Sequence, residues 1–237
     1  MITLRKLASL PERTRGRKLL SLLDQSLEAS YAQGVYALVR ELVGPDYPGD
    51  PQNHRQTQLL KLSVSRALGI DQADWDLQTP GDQRDTPRRF PFSVYLEDLR
   101  SPFNVGSILR TAEAYGFEQV IVSPLCPQLT HPRLVRTAMG ALLSLNVLVE
   151  SMASARARWS GPVWALELGG TSIDHFEFPS QGLLLVGNEE LGLSPEALDW
   201  ADTSSGRVSL PLYGRKASLN VGVAFGIAAS RWVGALF

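Results

Sequence analysis

The sequence predicts an α/β domain built on a mainly parallel sheet and preceded by a small all-helical arm. Three observations carry this. From Phe92 onward, short apolar runs alternate with helical patterns, which is how a parallel sheet with crossover helices reads. The first third lacks strong strand patterns and spaces its apolar residues helically. Between the two, residues 78–91 hold three prolines and Gly81 amid charges, the chemistry of a linker.

Taken in order, apolar spacing predicts helices over 19–23, 36–43 and around 58–68, with turn residues at 44–51 (Gly-Pro-Asp-Tyr-Pro-Gly-Asp-Pro). The expected organisation is a helical extension over 1–80, a linker over 81–91 and the main domain over 92–237. Strands are predicted at 92–97, 120–123, 146–149, 162–166, 183–186 and 208–210. Helices are predicted at 105–115, 131–143 and 218–236, with a further one opened by Ser194 and Pro195. The last helix is apolar or glycine throughout 221–229, with Gly222 and Gly226 four apart. Asn220 and Arg231 bracket only ten residues, about half of what a membrane span needs, so the expectation is a buried helix packed through its glycines.

At 237 residues, 44% hydrophobic and 20% charged, the chain has the composition of a folded protein. Its net charge of −1 excludes a uniformly basic nucleic-acid coat, but not a local basic surface. Residues 1–66 carry 10 basic and 6 acidic side chains, 67–100 carry 4 and 7, and 101–237 carry 9 and 11. The basic excess therefore lies in the arm, where Arg5, Lys6, Arg13, Arg15, Arg17 and Lys18 are candidate phosphate contacts or simply a solvated helix face. Cys126 is the only cysteine, which excludes an internal disulfide and a cysteine-rich zinc site. No apolar run follows Met1 that would serve as a secretory signal, and a cytoplasmic setting is expected. His54, His131 and His175 are scattered, and no metal is expected.

Three segments carry the chemistry. Asp98 to Ala112 follows a strand and opens a helix, where ligands of α/β sheets bind. Asn104 is a good helix cap, and Arg110 has an ordinary reading as an ion pair with Glu113. The second segment runs from an apolar strand into Gly187-Asn188-Glu189-Glu190-Leu191-Gly192, glycines flanking two carboxylates. The third is a strand, a Pro/Gly turn and a basic pair, Arg215 and Lys216, leading to Ser218 and Asn220. Neither a dinucleotide fingerprint, a Walker motif nor a G-x-S-x-G elbow is present, which weakens dehydrogenase, P-loop and hydrolase readings.

In this order and spacing, the segments resemble the TrmH (SpoU) family of SPOUT methyltransferases. The matching patterns are Asn104-x-Gly106-x-x-x-Arg110-Thr111-Ala112, then Gly187-Asn188-Glu189-x-x-Gly192-Leu193, then Leu210-Pro211-x-x-Gly214-x-x-x-Ser218-Leu219-Asn220-Val221-x-Val223-Ala224. Arg136-Thr137-Ala138-Met139-Gly140-Ala141 also resembles the family, which often has Ser at the place of Ala138. The resemblance implies a SPOUT-type domain with a C-terminal trefoil knot, homodimeric through the knot region and last helix, without a membrane segment. It implies S-adenosylmethionine as cofactor and the ribose 2'-hydroxyl of RNA, ribosomal or transfer, as substrate. It would assign Asn104, Arg110, Glu189, Ser218 and Asn220 to catalysis and substrate holding. Gly187, Gly192, Leu210 and Leu219 would line the cofactor pocket. Arg215 and Lys216 would contact RNA near the site. A non-catalytic RNA-binding or assembly protein on the same fold is the alternative.

Overall fold

The computed structural model describes residues 2–23, 25, 27–44, 54–69 and 87–236. The chain divides into two compact units, Met1–Asp76 and Leu77–Phe237. Residues 70–86, which include most of the expected linker, lie outside the described residues.

In the first unit, all regular structure among the described residues is helical: α1 (Leu4–Ala8), α2 (Glu12–Leu23), α3 (Ala29–Val43) and α4 (His54–Ala67). Their apolar stripes meet in a core of Leu7, Leu19, Leu22, Val35, Val39, Leu60 and Val64. Gly16 lets α2 approach closely, since a Cβ there would sit 2.6 Å from Leu68 Cδ2.

The second unit holds six strands, β1 (Phe90–Leu96), β2 (Phe117–Val122), β3 (Asn146–Val149), β4 (Val163–Ser172), β5 (Gly182–Val186) and β6 (Arg207–Ser209). All pair in parallel, in the order β3-β2-β1-β5-β4-β6. The helices between them are α5 (Pro102–Ala114), α6 (Pro132–Ala138), α7 (Met152–Arg158) and α8 (Pro195–Asp202), and α9 (Val221–Gly234) follows β6. The chain builds outward from β1 to β2 and β3, then returns to lay β5 on the other side of β1. Between β1 and β5 the direction of winding reverses, and crevices at such switch points take ligands beyond the carboxyl ends of the strands.

Both faces of the sheet are covered, so β1 and β5 are buried almost end to end. Phe92, Val94, Leu96, Trp164, Phe225 and Trp232 belong to one core. Tyr95, Ala165, Leu183, Leu185, Ala197 and Trp200 belong to the other. Trp232 anchors α9, its ring stacked 3.9 Å from Phe92 and its indole N–H donated to the Pro179 carbonyl at 2.7 Å.

Several boundaries differ from expectation. β1 starts at Phe90, so Phe90 and Pro91 are strand residues; the proline is accommodated where the pairing with β2 is irregular. The helix expected over 131–143 stops at Ala138, because Met139 and Gly140 both adopt positive φ (49° and 88°) before a short 3-10 turn. β4 continues to Ser172 through an irregular register with β6. No periodicity flagged α7, whose seven residues after the Ser151 cap place alanine at every second position, between Met152, Ser154, Arg156 and Arg158. Among the described residues, no helix is long and apolar enough to cross a membrane.

Candidate active site

At the carboxyl end of β1, the Glu97 N–H is donated to the Val186 carbonyl and the chain then turns through Asp98, with φ 52°. Ser101 caps α5, accepting the Asn104 N–H at 3.4 Å, with Pro102 at the first helical position. Asn104, expected as the cap, is thereby inside the helix with its side chain released for other work. At the carboxyl end of β5, the loop folds back on itself through paired hydrogen bonds between Asn188 and Gly192. Only glycine fits at position 187, since a Cβ there would lie 2.4 Å from the Gly192 carbonyl carbon. Gly192 has φ 69° and faces Glu167, whose carboxylate accepts the Leu193 N–H at 3.2 Å. On the far side of the loop, the buried Glu97 carboxylate accepts both the N–H and the hydroxyl of Ser194, each at 2.7 Å.

Three of the expected site residues form one hydrogen-bonded chain. The Asn220 carbonyl oxygen caps α9, accepting the Gly222 and Val223 N–H groups, which leaves its NH2 to point outward. That NH2 is donated to Asn104 Oδ1 at 3.0 Å. Asn104 in turn donates to Glu189 Oε1 at 2.7 Å. The backbone N–H groups of Arg100 and Ser101 are donated to the same carboxylate at 2.9 and 3.1 Å. Partial burial opposes ionisation of Glu189. The N–H of Arg100, the Asn104 amide, its own N–H and the Ser101 N–H outweigh it, and the carboxyl is held below the usual glutamate range. Arg100 pairs with Glu190 at the rim, at 2.5 Å.

Arg110 stands apart from this chain. It is exposed on α5, about 9 Å along the axis from Asn104, and pairs with no other described residue. Glu113, its expected partner, bonds Arg89 instead at 3.5 Å. Asn104, Ser107 and Thr111 lie on the α5 edge towards α9, where Ser107 and Thr111 meet Gly222 and Gly226; Gly106 lies against α6. Arg110 projects between those edges.

Residues 211–219 form no hydrogen bond with any described residue, through backbone or side chain. Ser218, Arg215, Lys216 and Leu219 are exposed there, Tyr213 is 94% exposed, and Leu210 is partly exposed just before the segment. In the other unit, Arg5, Lys6, Arg13, Arg17 and Lys18 are exposed, whereas Arg15 is half-buried and donates to the Ala8 carbonyl at 3.3 Å. Among the described residues, no group of His, Cys, Asp and Glu could hold a metal ion. Cys126 is buried and gives its Sγ–H to the Leu96 carbonyl; burial raises its thiol pKa, as befits a packing residue.

The family model of the SpoU rRNA Methylase family matches residues 91–230, more than half of the chain. The chain belongs to the SpoU rRNA methylase family. A 23S rRNA (uridine(2479)-2'-O)-methyltransferase from Streptomyces viridochromogenes is 33% identical over 156 residues, 61% of this chain and 53% of that one. A tRNA (guanosine(18)-2'-O)-methyltransferase from Escherichia coli is 29% identical over 144 residues, 58% of this chain and 61% of that one. The structure of the SpoU methyltransferase AviRb from Streptomyces viridochromogenes, in complex with the cofactor AdoMet, superposes with a TM-score of 0.53 at 31% identity, covering 65% of each chain. The chain spans 53% to 61% of the length of these curated relatives. Within the SpoU family match lie the whole sheet from Pro91 onward and every residue of the Asn220–Asn104–Glu189 chain; the helical first unit lies outside it.

Sequence patterns supplied Asn104, Glu189 and Asn220 but not their supports. Asn188 belongs to the second matching pattern, but Asp98, Arg100 and Ser101 carry no fixed position in any pattern; Glu97 and Ser123 lie just beyond strand ends and Glu167 within β4, with no motif around them.

Proposed function

We propose that this protein transfers a methyl group from S-adenosylmethionine to a ribose 2'-hydroxyl of structured RNA, ribosomal or transfer. The observation that carries this reading is the hydrogen-bonded chain from Asn220 through Asn104 to Glu189. It joins one residue from each of three distant segments at the switch point of the sheet.

The residues present fit the cofactor. Residues 211–219 keep their backbone N–H and C=O groups free of hydrogen-bond partners among the described residues, and Leu210 and Leu219 add apolar surface at the ends of the segment. Such a segment can hold a nucleoside through its main chain, with Gly187 and Gly192 keeping side chains out of the way. When bound, S-adenosylmethionine supplies an electrophilic methyl on a sulfonium. The family's trefoil knot would lie at this C-terminal end. A homodimer through the knot region and α9 would cover Leu219, Val223 and Ile227, which are exposed apolar side chains. A cytoplasmic location goes with RNA as substrate.

The chain's own residues divide the remaining work. Arg110 presents its guanidinium fork with no pairing partner among the described residues, so it can grip a phosphate next to the target ribose and stabilise charge developing on the 2'-oxygen. Glu189 is a poor proton acceptor, because three N–H donors from neighbouring residues already hold its carboxylate ionised. Its role is to aim Asn104 and, through it, Asn220. Ser218, exposed next to Leu219, is free to bind substrate. The proton leaves to a phosphate oxygen or water.

The test is methyl transfer to ribosomal and transfer RNA from cells lacking the protein, with the methyl of S-adenosylmethionine labelled. Arg110→Ala abolishes transfer while calorimetric affinity for the cofactor stays close to wild type, and Arg110→Lys, which keeps charge but loses the planar fork, restores it only in part. Full activity in Arg110→Ala sinks the assignment. Tight cofactor binding without transfer to any RNA would instead favour the assembly role.

A further inference from the structure

Asp98 is the turning point between β1 and α5, and it is one of two non-glycine residues with positive φ among the described residues. Its φ of 52° lies in the left-handed region, which few residues with a Cβ adopt and which Asp reaches with the help of local hydrogen bonds. Every polar group of its main chain and one carboxylate oxygen are tied down. Its N–H is donated to Ser123 Oγ at 2.9 Å, and the same hydroxyl is donated to Asp98 Oδ1 at 2.6 Å, so Ser123 both accepts and donates. Its carbonyl accepts the Asn188 NH2 at 2.6 Å. Asn188 in turn is fixed by its own loop, accepting the Glu190 and Leu191 N–H groups at 2.9 and 3.1 Å. Ser123 follows β2 and Asn188 follows β5, so the turn is clamped from the strands on both sides of β1. Two and three residues further on, Arg100 and Ser101 present their N–H groups to Glu189.

We infer that Asp98, held by Ser123 and Asn188, is a positioning residue that sets the turn from which Arg100 and Ser101 grip Glu189. The inference rests on Glu189 being the anchor that aims Asn104. Asp98 and Ser123 do not touch the proposed reacting atoms; they act by fixing where two backbone donors point. Leu99, fully buried between them, sets the same turn from the apolar side.

The readout is the titration of the Glu189 carboxyl, followed by carbon-13 NMR on the full chain without ligand and assigned with Glu189→Gln. Arg100, whose N–H meets Glu189, is ion-paired with Glu190, the next residue along the loop, and Asp98 lies two residues before Arg100, so charge must be held constant within each comparison. Ser123→Ala keeps every charge and removes one side of the clamp; the Glu189 midpoint rises towards the ordinary glutamate value. Asp98→Gly and Asp98→Asn both remove the Asp98 charge and both accept a left-handed turn, so both fold, but only asparagine keeps the acceptor for Ser123. The midpoint in Asp98→Gly therefore lies above that in Asp98→Asn. A structural role alone predicts no difference in either comparison, because glycine suits this φ better than aspartate does. An unmoved midpoint in Ser123→Ala, or equal midpoints in the two Asp98 variants, overturns the inference. Undiminished methyl transfer by Glu189→Gln, with the shifts still present, would remove the catalytic part of Glu189 and leave the clamp standing.

Discussion

Glu189 keeps its charge because neighbouring residues supply N–H donors that bulk water would otherwise replace. A depressed folded-state value gives a definite sign to its pH dependence: the carboxylate's contribution is complete above the ordinary glutamate value of 4.5 and is lost as pH falls through the lower, folded value. Thermal melts of wild type and Glu189→Gln, followed from neutral pH down through the carboxylate range, should therefore converge on the acid side; a stability gap that widens on acidification would contradict the hydrogen bonding described. At this scale the sequence singles out side chains but not their partners. Asn104 and Ser101 are both good caps three residues apart, and Pro102 decides between them by taking the first helical position. Once Ser101 is the cap, Asn104 is free for Glu189, and no local pattern reports that partner 85 residues away.

The helices around the site are set by close approach. At Gly106 a Cβ would lie 2.7 Å from the Leu134 carbonyl oxygen and 2.8 Å from Thr137 Cβ, so α5 and α6 touch there through backbone. Gly106→Ala should cost about 1–3 kcal/mol by overpacking, read as a lowered unfolding midpoint. Gly234→Ala, where nothing lies within 4 Å, is the control and should be neutral or slightly stabilising. Asn220 serves α9 as cap and Asn104 as donor. Asn220→Ala should lose about 1 kcal/mol in urea unfolding and a larger share of methyl transfer, since the cap is replaceable by water whereas the aim of Asn104 is not. Most elements of the sheet were legible, because period and composition report burial on one or two faces. What periodicity could not report were interruptions set by single residues: the positive φ pair at Met139 and Gly140 that ends α6, and the irregular pairing that carries β4 past Leu166.

For the whole molecule, charge is distributed where no total reveals it. The exposed Arg5, Lys6, Arg13, Arg17 and Lys18 belong to the helical unit, and Arg215 and Lys216 to the segment before α9. If the helical unit captures phosphates, removing residues 1–66 weakens RNA binding and flattens its dependence on salt; an unchanged slope of log affinity against log salt would exclude that role. The strand order of the all-parallel sheet was out of reach of any local pattern, since β1 pairs on one side with β2, the next strand in the chain, and on the other with β5, three strands later. That pairing has a kinetic side. The turn after β1 is complete early in synthesis, yet Glu189 and Asn220 lie 85 and 116 residues downstream of Asn104. Such distant closures are slow. A partly made chain emerging from the ribosome thus holds the turn without its partners, and the Asn220–Asn104–Glu189 chain closes only when α9 has been synthesised and docked.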